Sequence, residues 1–326
     1  MTKTVGEPVT DGKKLRILYM GTPEFAAVSL KYLIDNGYCV TGAVCRADKP
    51  RGRGMQVLPP PVKVIAEAAG IPVFQPETLR GGALLPVLQE TAPELIVVVA
   101  YGKILPQDVL EYPRLGCINL HGSLLPKYRG AAPIQRAVMN GEKKTGLTTM
   151  FLSQGMDEGD MLLTAETEIG ADETAGELTA RLARLGAPLL AETIEQIAGG
   201  RIVRIPQRHE DATYAPMLDK AEGRLDFSRP AAELYCVYRG LTPALSVSAR
   251  FRGKAVKLTA MRPEPAGEVC SGADGEIVRC GKEGIAVRCG DGRALIVTEL
   301  APEGKRAMSA ADFINGRAVQ TGERFE

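Results

Sequence analysis

The chain has 326 residues, enough for about two domains with separate cores, and 45% of them are apolar. Forty Lys and Arg against 39 Asp and Glu leave a net charge of +1, which excludes any general attraction to nucleic acid and leaves that to local patches. Seven cysteines, an odd number with no CxxC pair, argue for reduced thiols and against a disulfide scaffold or a zinc cluster.

Residues 1–13 are polar and read as a flexible tail. The start Met1–Leu15 lacks an apolar signal region, and no apolar run approaches the ~18 residues of a membrane span. The expectation is a soluble cytoplasmic protein. Leu15–Met20 then predicts a strand that stops at Gly21, followed by a helix with Thr22 at its N-cap and Pro23 in its first turn, running to about Asn36–Gly37. Tyr38–Cys45 predicts a second strand, Val62–Ala69 a helix, Ile71–Phe74 a short strand and Leu84–Thr91 a helix. Leu95–Ala100 is a continuous apolar run, the mark of a central parallel strand covered on both faces. Strands at Ile118–His121 and Thr148–Leu152 flank a helix at Ala132–Asn140, and Glu177–Gly199 carries apolar residues at helical spacing. This alternation predicts an α/β domain, 14–200, with an open, Rossmann-like, mostly parallel sheet and helices on both faces. Residues 201–214 read as a linker. After a helix at Phe227–Leu241, short strands between glycine-containing turns predict a small OB-like β-barrel within 215–326.

Four segments carry candidate chemistry. Gly21-Thr22-Pro23-Glu24 stands where a dinucleotide-binding fold places its glycine-rich turn, but it has one glycine, and Glu24 sets a carboxylate where a pyrophosphate would lie. Arg46–Pro61 is long for a loop, with Lys49, Arg51 and Arg53 among glycines and prolines; it suits a phosphate-bearing partner or is a solvated surface loop. His121 is one of two histidines. Strand alternation places it on the same face as Asn119, at a strand's carboxyl end, where α/β sheets form ligand crevices. An amide donor beside an imidazole suits a carbonyl oxygen that gains charge. Gly155–Asp160 is an acidic turn after the next strand: it either brings a carboxylate to His121 or is an ordinary surface turn.

Asn119–Pro126, continued by Lys127-Tyr128-Arg129-Gly130-Ala131-Ala132-Pro133-Ile134-Gln135, resembles the formyltetrahydrofolate-dependent formyltransferases, and among them those acting on methionyl-tRNA. The Gly21–Ala26 turn, Ala100-Tyr101-Gly102, Gly155–Asp160 and Gly304–Met308 extend the resemblance over about residues 14–320. It implies a formyl group passed from 10-formyltetrahydrofolate to the methionine amine of initiator methionyl-tRNA. Asn119, His121 and Asp157 would be catalytic, and Ser123, Leu124, Leu125 and Pro126 would contact the folate. Arg53, with Lys49 and Arg51, would meet the acceptor end of the tRNA, and the barrel its stem. It further implies a monomer without a metal. Arg46-Ala47-Asp48 departs from the family's usual Gln-Pro-Asp, Met55-Gln56 replace two common lysines, and Thr242–Leu245 replaces a more aromatic Asn-Pro-Trp-Pro. From Glu210 onward 17 basic residues face 17 acidic ones, so the barrel is not basic overall. A formyltransferase acting on a sugar nucleotide or other small amine, a formyltetrahydrofolate hydrolase and a non-catalytic tRNA-binding protein are the alternatives.

Overall fold

The computed structural model describes residues 11–51, 56–265 and 269–326, with backbone alone at 50, 51 and 56. Most of the expected tail and Arg53 lie outside the described residues. Two compact units are present: one comprises the chain up to Pro133, Lys144–Glu168 and Thr179–Pro216, the other Ile134–Lys143, Ile169–Leu178 and Met217–Glu326.

In chain order the elements start with β1 (Ile17–Gly21), α1 (Glu24–Asp35), β2 (Val40–Val44), β3 (Lys49–Arg51), β4 (Gln56–Leu58) and α2 (Pro61–Ala68). Then come β5 (Val73–Phe74), α3 (Leu85–Thr91), β6 (Leu95–Val99), α4 (Gln107–Leu110), β7 (Cys117–His121) and α5 (Pro133–Met139). β8 (Lys144–Phe151), β9 (Met161–Glu168), α6 (Ala175–Ala198) and α7 (Ala231–Leu241) follow. The chain finishes with β10 (Ser248–Phe251), β11 (Lys254–Pro263), β12 (Ile277–Gly281), β13 (Gly284–Arg288), β14 (Ala294–Pro302), β15 (Met308–Ser309) and α8 (Ala310–Arg317).

The first unit holds a seven-stranded sheet in the order β5-β2-β1-β6-β7-β8-β9. The pairs from β5 to β7 are parallel, and β8 and β9 run antiparallel at one edge. β6 is apolar and buried at all five positions, as its unbroken Leu-Ile-Val-Val-Val predicts for a strand covered on both faces. One face packs Leu18, Met20, Ile96, Val98 and Cys117 against Leu84, Leu88 and Val109. The other receives α6: a Cβ on Gly186 would stand 2.8 Å from the Leu120 side chain, so helix and strand meet there without room for a methyl. The sheet is the open α/β arrangement read from the sequence.

Some local expectations fail for identifiable reasons. Pro23, not Thr22, is the N-cap of α1 and provides no side-chain cap; the Thr22 hydroxyl instead accepts the Arg46 N–H at 3.4 Å. The long basic loop contains a two-stranded ribbon, with Lys49 opposite Leu58. The eight-residue β9 was hidden because, as an edge strand, it exposes or half-exposes most of its residues and lacks a long apolar run.

In the second unit the antiparallel sheet runs β10-β11-β14-β13-β12, with β15 beside β14. Its two edges are joined by residues 322–326. Ile277 donates to the Glu323 carbonyl and Phe325 to that of Gly275, while Arg250 and Glu326 exchange two backbone bonds of 2.6 and 2.8 Å. That closure is what makes the sheet a small barrel. Its core contains Phe227, Phe251, Phe313 and Phe325, all less than 5% exposed. The last of these packs its ring 5.2 Å from that of Phe251.

Candidate active site

β7 carries the candidate residues to the carboxyl end of the sheet. Leu120 faces α6, so alternation turns Asn119 and His121 to the opposite face. Asn119 is half-buried beside Val98 of β6 and Met150 of β8. His121 is 5% exposed.

The ring of His121 is held on both sides. Nε2 lies 2.9 Å from the Tyr128 carbonyl, and because a carbonyl only accepts, Nε2 carries the hydrogen. Nδ1 stands 3.6 Å from Oδ2 of Asp157. Nε2 is therefore hydrogen-bonded to a carbonyl, while Nδ1 faces a carboxylate just beyond hydrogen-bond distance. Asp157 sits in the acidic turn with φ of 51°, a left-handed conformation uncommon for a residue with a side chain. Its Oδ2 also accepts the Gly130 N–H at 2.8 Å. Of the two readings of this turn, the one that brings a carboxylate to His121 is the geometry observed.

The turn after β7 is tied down by its own polar groups. Ser123 is 1% exposed and its hydroxyl donates to the Lys127 carbonyl at 2.6 Å. Thr148 of β8 donates to the Ser123 carbonyl at 2.8 Å and accepts the Leu125 N–H at 3.1 Å. Leu125 is buried, whereas Leu124 and Pro126 are half-buried. These bonds fix the backbone of Ser123–Pro126 at the strand's end, where a ligand's polar edge can meet it.

Several residues around this pair escaped the sequence reading. Arg129 is 1% exposed, and its Nε and Nη2 donate to Oε1 of Gln207 at 3.0 and 2.8 Å. Gln207 is 7% exposed; its Nε2 donates to the carbonyls of Asp157 and Gly159, both at 2.8 Å. Arg129 Nη1 lies 3.3 Å from Nδ1 of His209 and 3.9 Å from Oε1 of Glu158. Residues 213–215 run beside 129–132: Arg129 donates its N–H to Thr213, and Ala215 donates to Arg129. The arginine of an ordinary Lys-Tyr-Arg-Gly turn carries no local sign of its burial, because its hydrogen-bond partners Gln207 and His209 lie 78 and 80 residues away.

The basic loop is placed separately. Asp48 accepts from Lys63 at 2.9 Å and from Gln75 at 2.8 Å, and the Gln75 amide and the Lys63 ammonium together hold its carboxyl below the usual aspartate value. This anchors the root of the ribbon. Lys49 is exposed, and no hydrogen bond or ion pair among the described residues joins it to Asn119, His121 or Asp157. The Arg51 side chain and all of Arg53 lie outside the described residues. Among the described residues no group of three or more His, Cys, Asp and Glu is placed to hold a metal, and no helix is long and apolar enough to cross a membrane. Tyr101, just past β6, has a buried hydroxyl with no partner among the described residues, and burial pushes it up to about 12. An unpartnered buried hydroxyl beside the strand ends is consistent with a crevice that receives a polar ligand.

Known proteins resemble this chain in sequence and in fold. The family model described as formyl transferase matches residues 13–194, and that described as formyl transferase, C-terminal domain, matches residues 217–318. A protein of Symbiobacterium thermophilum named methionyl-tRNA formyltransferase is 50% identical over 315 residues, covering 95% of each chain. Among solved structures, the sugar 3N-formyl transferase WlaRD, in the presence of dTDP and 5-N-formyl-THF, has the same fold at a TM-score of 0.65 and 16% identity, covering 90% of this chain and 99% of that one. A HypX variant from Aquifex aeolicus aligns at 0.64 and 17% identity over 95% of this chain, which spans about half (48%) of HypX.

Proposed function

The chain belongs to the formyltransferase family, and we propose that it moves a formyl group from 10-formyltetrahydrofolate to the amine of methionine on initiator tRNA. The reading is carried by one observation: a buried histidine whose two ring nitrogens face the Tyr128 carbonyl and the Asp157 carboxylate, one strand position past Leu120 and on the same face as Asn119.

Formyl transfer requires an amine nitrogen to add to the formyl carbon, after which the carbon's bond to the folate nitrogen breaks and that nitrogen leaves with a proton. Negative charge gathers on the formyl oxygen meanwhile, and the attacking amine must shed a proton. Asn119 contributes an amide donor at the strand end for the oxygen, and the His121 ring, held between Tyr128 and Asp157, stabilises the charge that gathers there. Asp157 orients the ring through its carboxylate and serves, directly or through water, as a base for the amine proton. Ser123–Pro126 lines the folate side of the crevice. Lys49, Arg51 and Arg53 contact the acceptor end of the tRNA, and the barrel of residues 215–326 its stem. The enzyme works in the cytosol as a monomer and without a metal.

The relative sharing half of its residues carries the name methionyl-tRNA formyltransferase, and this favours tRNA over a small amine as acceptor. An assay with labelled 10-formyltetrahydrofolate tests the choice by comparing methionyl-tRNA with an amine-bearing sugar nucleotide. Label should pass to the tRNA; passage to the sugar nucleotide alone, or release as formate without an acceptor, would overturn the reading. His121→Ala should slow transfer about 10²- to 10⁴-fold, the usual contribution of a positioned acid or base.

A further inference from the structure

The geometry points to Arg129 and Gln207 as positioning residues that set the working orientation of Asp157, an inference that rests on the catalytic reading of Asp157 given above. Arg129 is the largest fully buried side chain among the described residues, and a buried guanidinium carries a desolvation cost that an apolar side chain of the same size would avoid. Its presence calls for an arrangement that only a planar fork of N–H donors can make.

That arrangement is the orientation of one amide. Two N–H groups of Arg129 meet Oε1 of Gln207, so the oxygen end of that amide must face the guanidinium. The NH₂ end then has one direction left, and it donates to the carbonyls on both sides of Glu158, those of Asp157 and Gly159. Reversing the amide would set NH₂ against a cation and a carbonyl oxygen against two carbonyls. Arg129 therefore orients Gln207, and Gln207 pins the backbone of the strained turn that carries the carboxylate.

The backbone around Arg129 closes the loop. Tyr128 presents its carbonyl to His121 Nε2, and Gly130 presents its N–H to Asp157 Oδ2. Three consecutive residues thus hold the imidazole, the amide that pins the acidic turn, and the carboxylate itself. Segment 213–215 in turn holds this backbone through the Thr213 and Ala215 bonds to Arg129. With the brace removed, the Asp157 turn can relax and the 3.6 Å approach to His121 loosens. Misplacement of a reacting group by about 1 Å costs on the order of 10²-fold in rate.

A double-mutant cycle between Gln207 and Asp157 in the full-length enzyme tests this. Gln207→Leu should lower kcat about 10- to 100-fold and leave KM for 10-formyltetrahydrofolate and for the acceptor within about threefold. Placed on Asp157→Asn, the same change should cost less than about threefold more, because the group it positions is gone. Gln207→Glu is the second variant. It keeps the side chain's volume and an oxygen for Arg129 but loses both N–H donors, so it should show the same loss of kcat with the fold intact, even if the leucine variant folds poorly. A folded Gln207 variant with kcat within about threefold of the parent would overturn the brace, as would a full multiplicative loss on the Asp157→Asn background. If Asp157→Asn itself leaves kcat unchanged, the catalytic reading of Asp157 fails instead.

Discussion

Replacing Gly130 with alanine perturbs the site without removing a polar group. Gly130 has φ of 119°, a backbone conformation that side chains rarely adopt, and a Cβ there would lie 2.8 Å from the Ala215 carbonyl oxygen. Relief requires the 128–130 segment to lift away from 213–215 or to change φ, and either movement turns the Gly130 N–H away from Asp157. That bond joins an amide to a carboxylate, a class worth about 1.5–3 kcal/mol. If all of it is lost from the transition state, kcat/KM falls about 10- to 150-fold, at about 1.4 kcal/mol per decade. The strained backbone adds about 1–3 kcal/mol of lost folding stability. For a chain of this size that is roughly 2–12 °C in Tm. Steady-state formyl transfer and a thermal melt on the same preparation read both effects. Parent-like kcat/KM with a lowered Tm would refute the claim that the Gly130 amide aligns Asp157, since the segment would then have moved without consequence for chemistry.

Three further outcomes follow from other parts of the molecule. Phe325→Ala removes a ring that is 1% exposed, packs against Phe251 at 5.2 Å and lies in the segment joining the two barrel edges; about 3–5 kcal/mol of stability should be lost in denaturant unfolding, and a loss below about 1 kcal/mol would refute that closure as a source of stability. The Asp48 carboxyl is held below its ordinary 3.8, chiefly by Gln75 and then by Lys63, so its contribution is present in full above that value and disappears as pH falls through the lower folded-state value. Asp48→Asn should therefore be less stable than the parent at neutral pH, with the difference shrinking in acid, and a pH-independent difference in melting curves would count against it. Binding of methionyl-tRNA should weaken steeply as salt rises, because each phosphate contact contributes a slope of roughly −0.7 to −0.9 in log K against log salt; a flat dependence would point to a small acceptor.

Much of the fold was legible from local pattern. The unbroken apolar run of β6, the helical spacing of α6 and the glycine-separated short strands after Leu241 each report burial of their own residues, and periodicity records burial directly. The face shared by Asn119 and His121 was legible for the same reason, since alternation along a strand is a local property. Hidden from the sequence were features whose cause is distant. Thr22 reads as an N-cap by its neighbours, yet its hydroxyl is taken by an amide from the end of another strand. β9 is an edge strand with few apolar residues to mark it.

At the site, the sequence by itself determined which groups are available: an amide, an imidazole and an acidic turn on successive strand ends, in a run specific enough to indicate a formyltransferase. Tertiary structure brought Asp157, which the resemblance to the family had already named, rather than its acidic neighbours Glu158 and Asp160, to His121. It alone enlisted Arg129 and Gln207, 78 residues apart, to hold the turn that makes that choice. The physical reason is that alternation and apolar periodicity are set by near neighbours, whereas the direction of a carboxylate in a left-handed turn depends on hydrogen bonds from segments that only folding brings together.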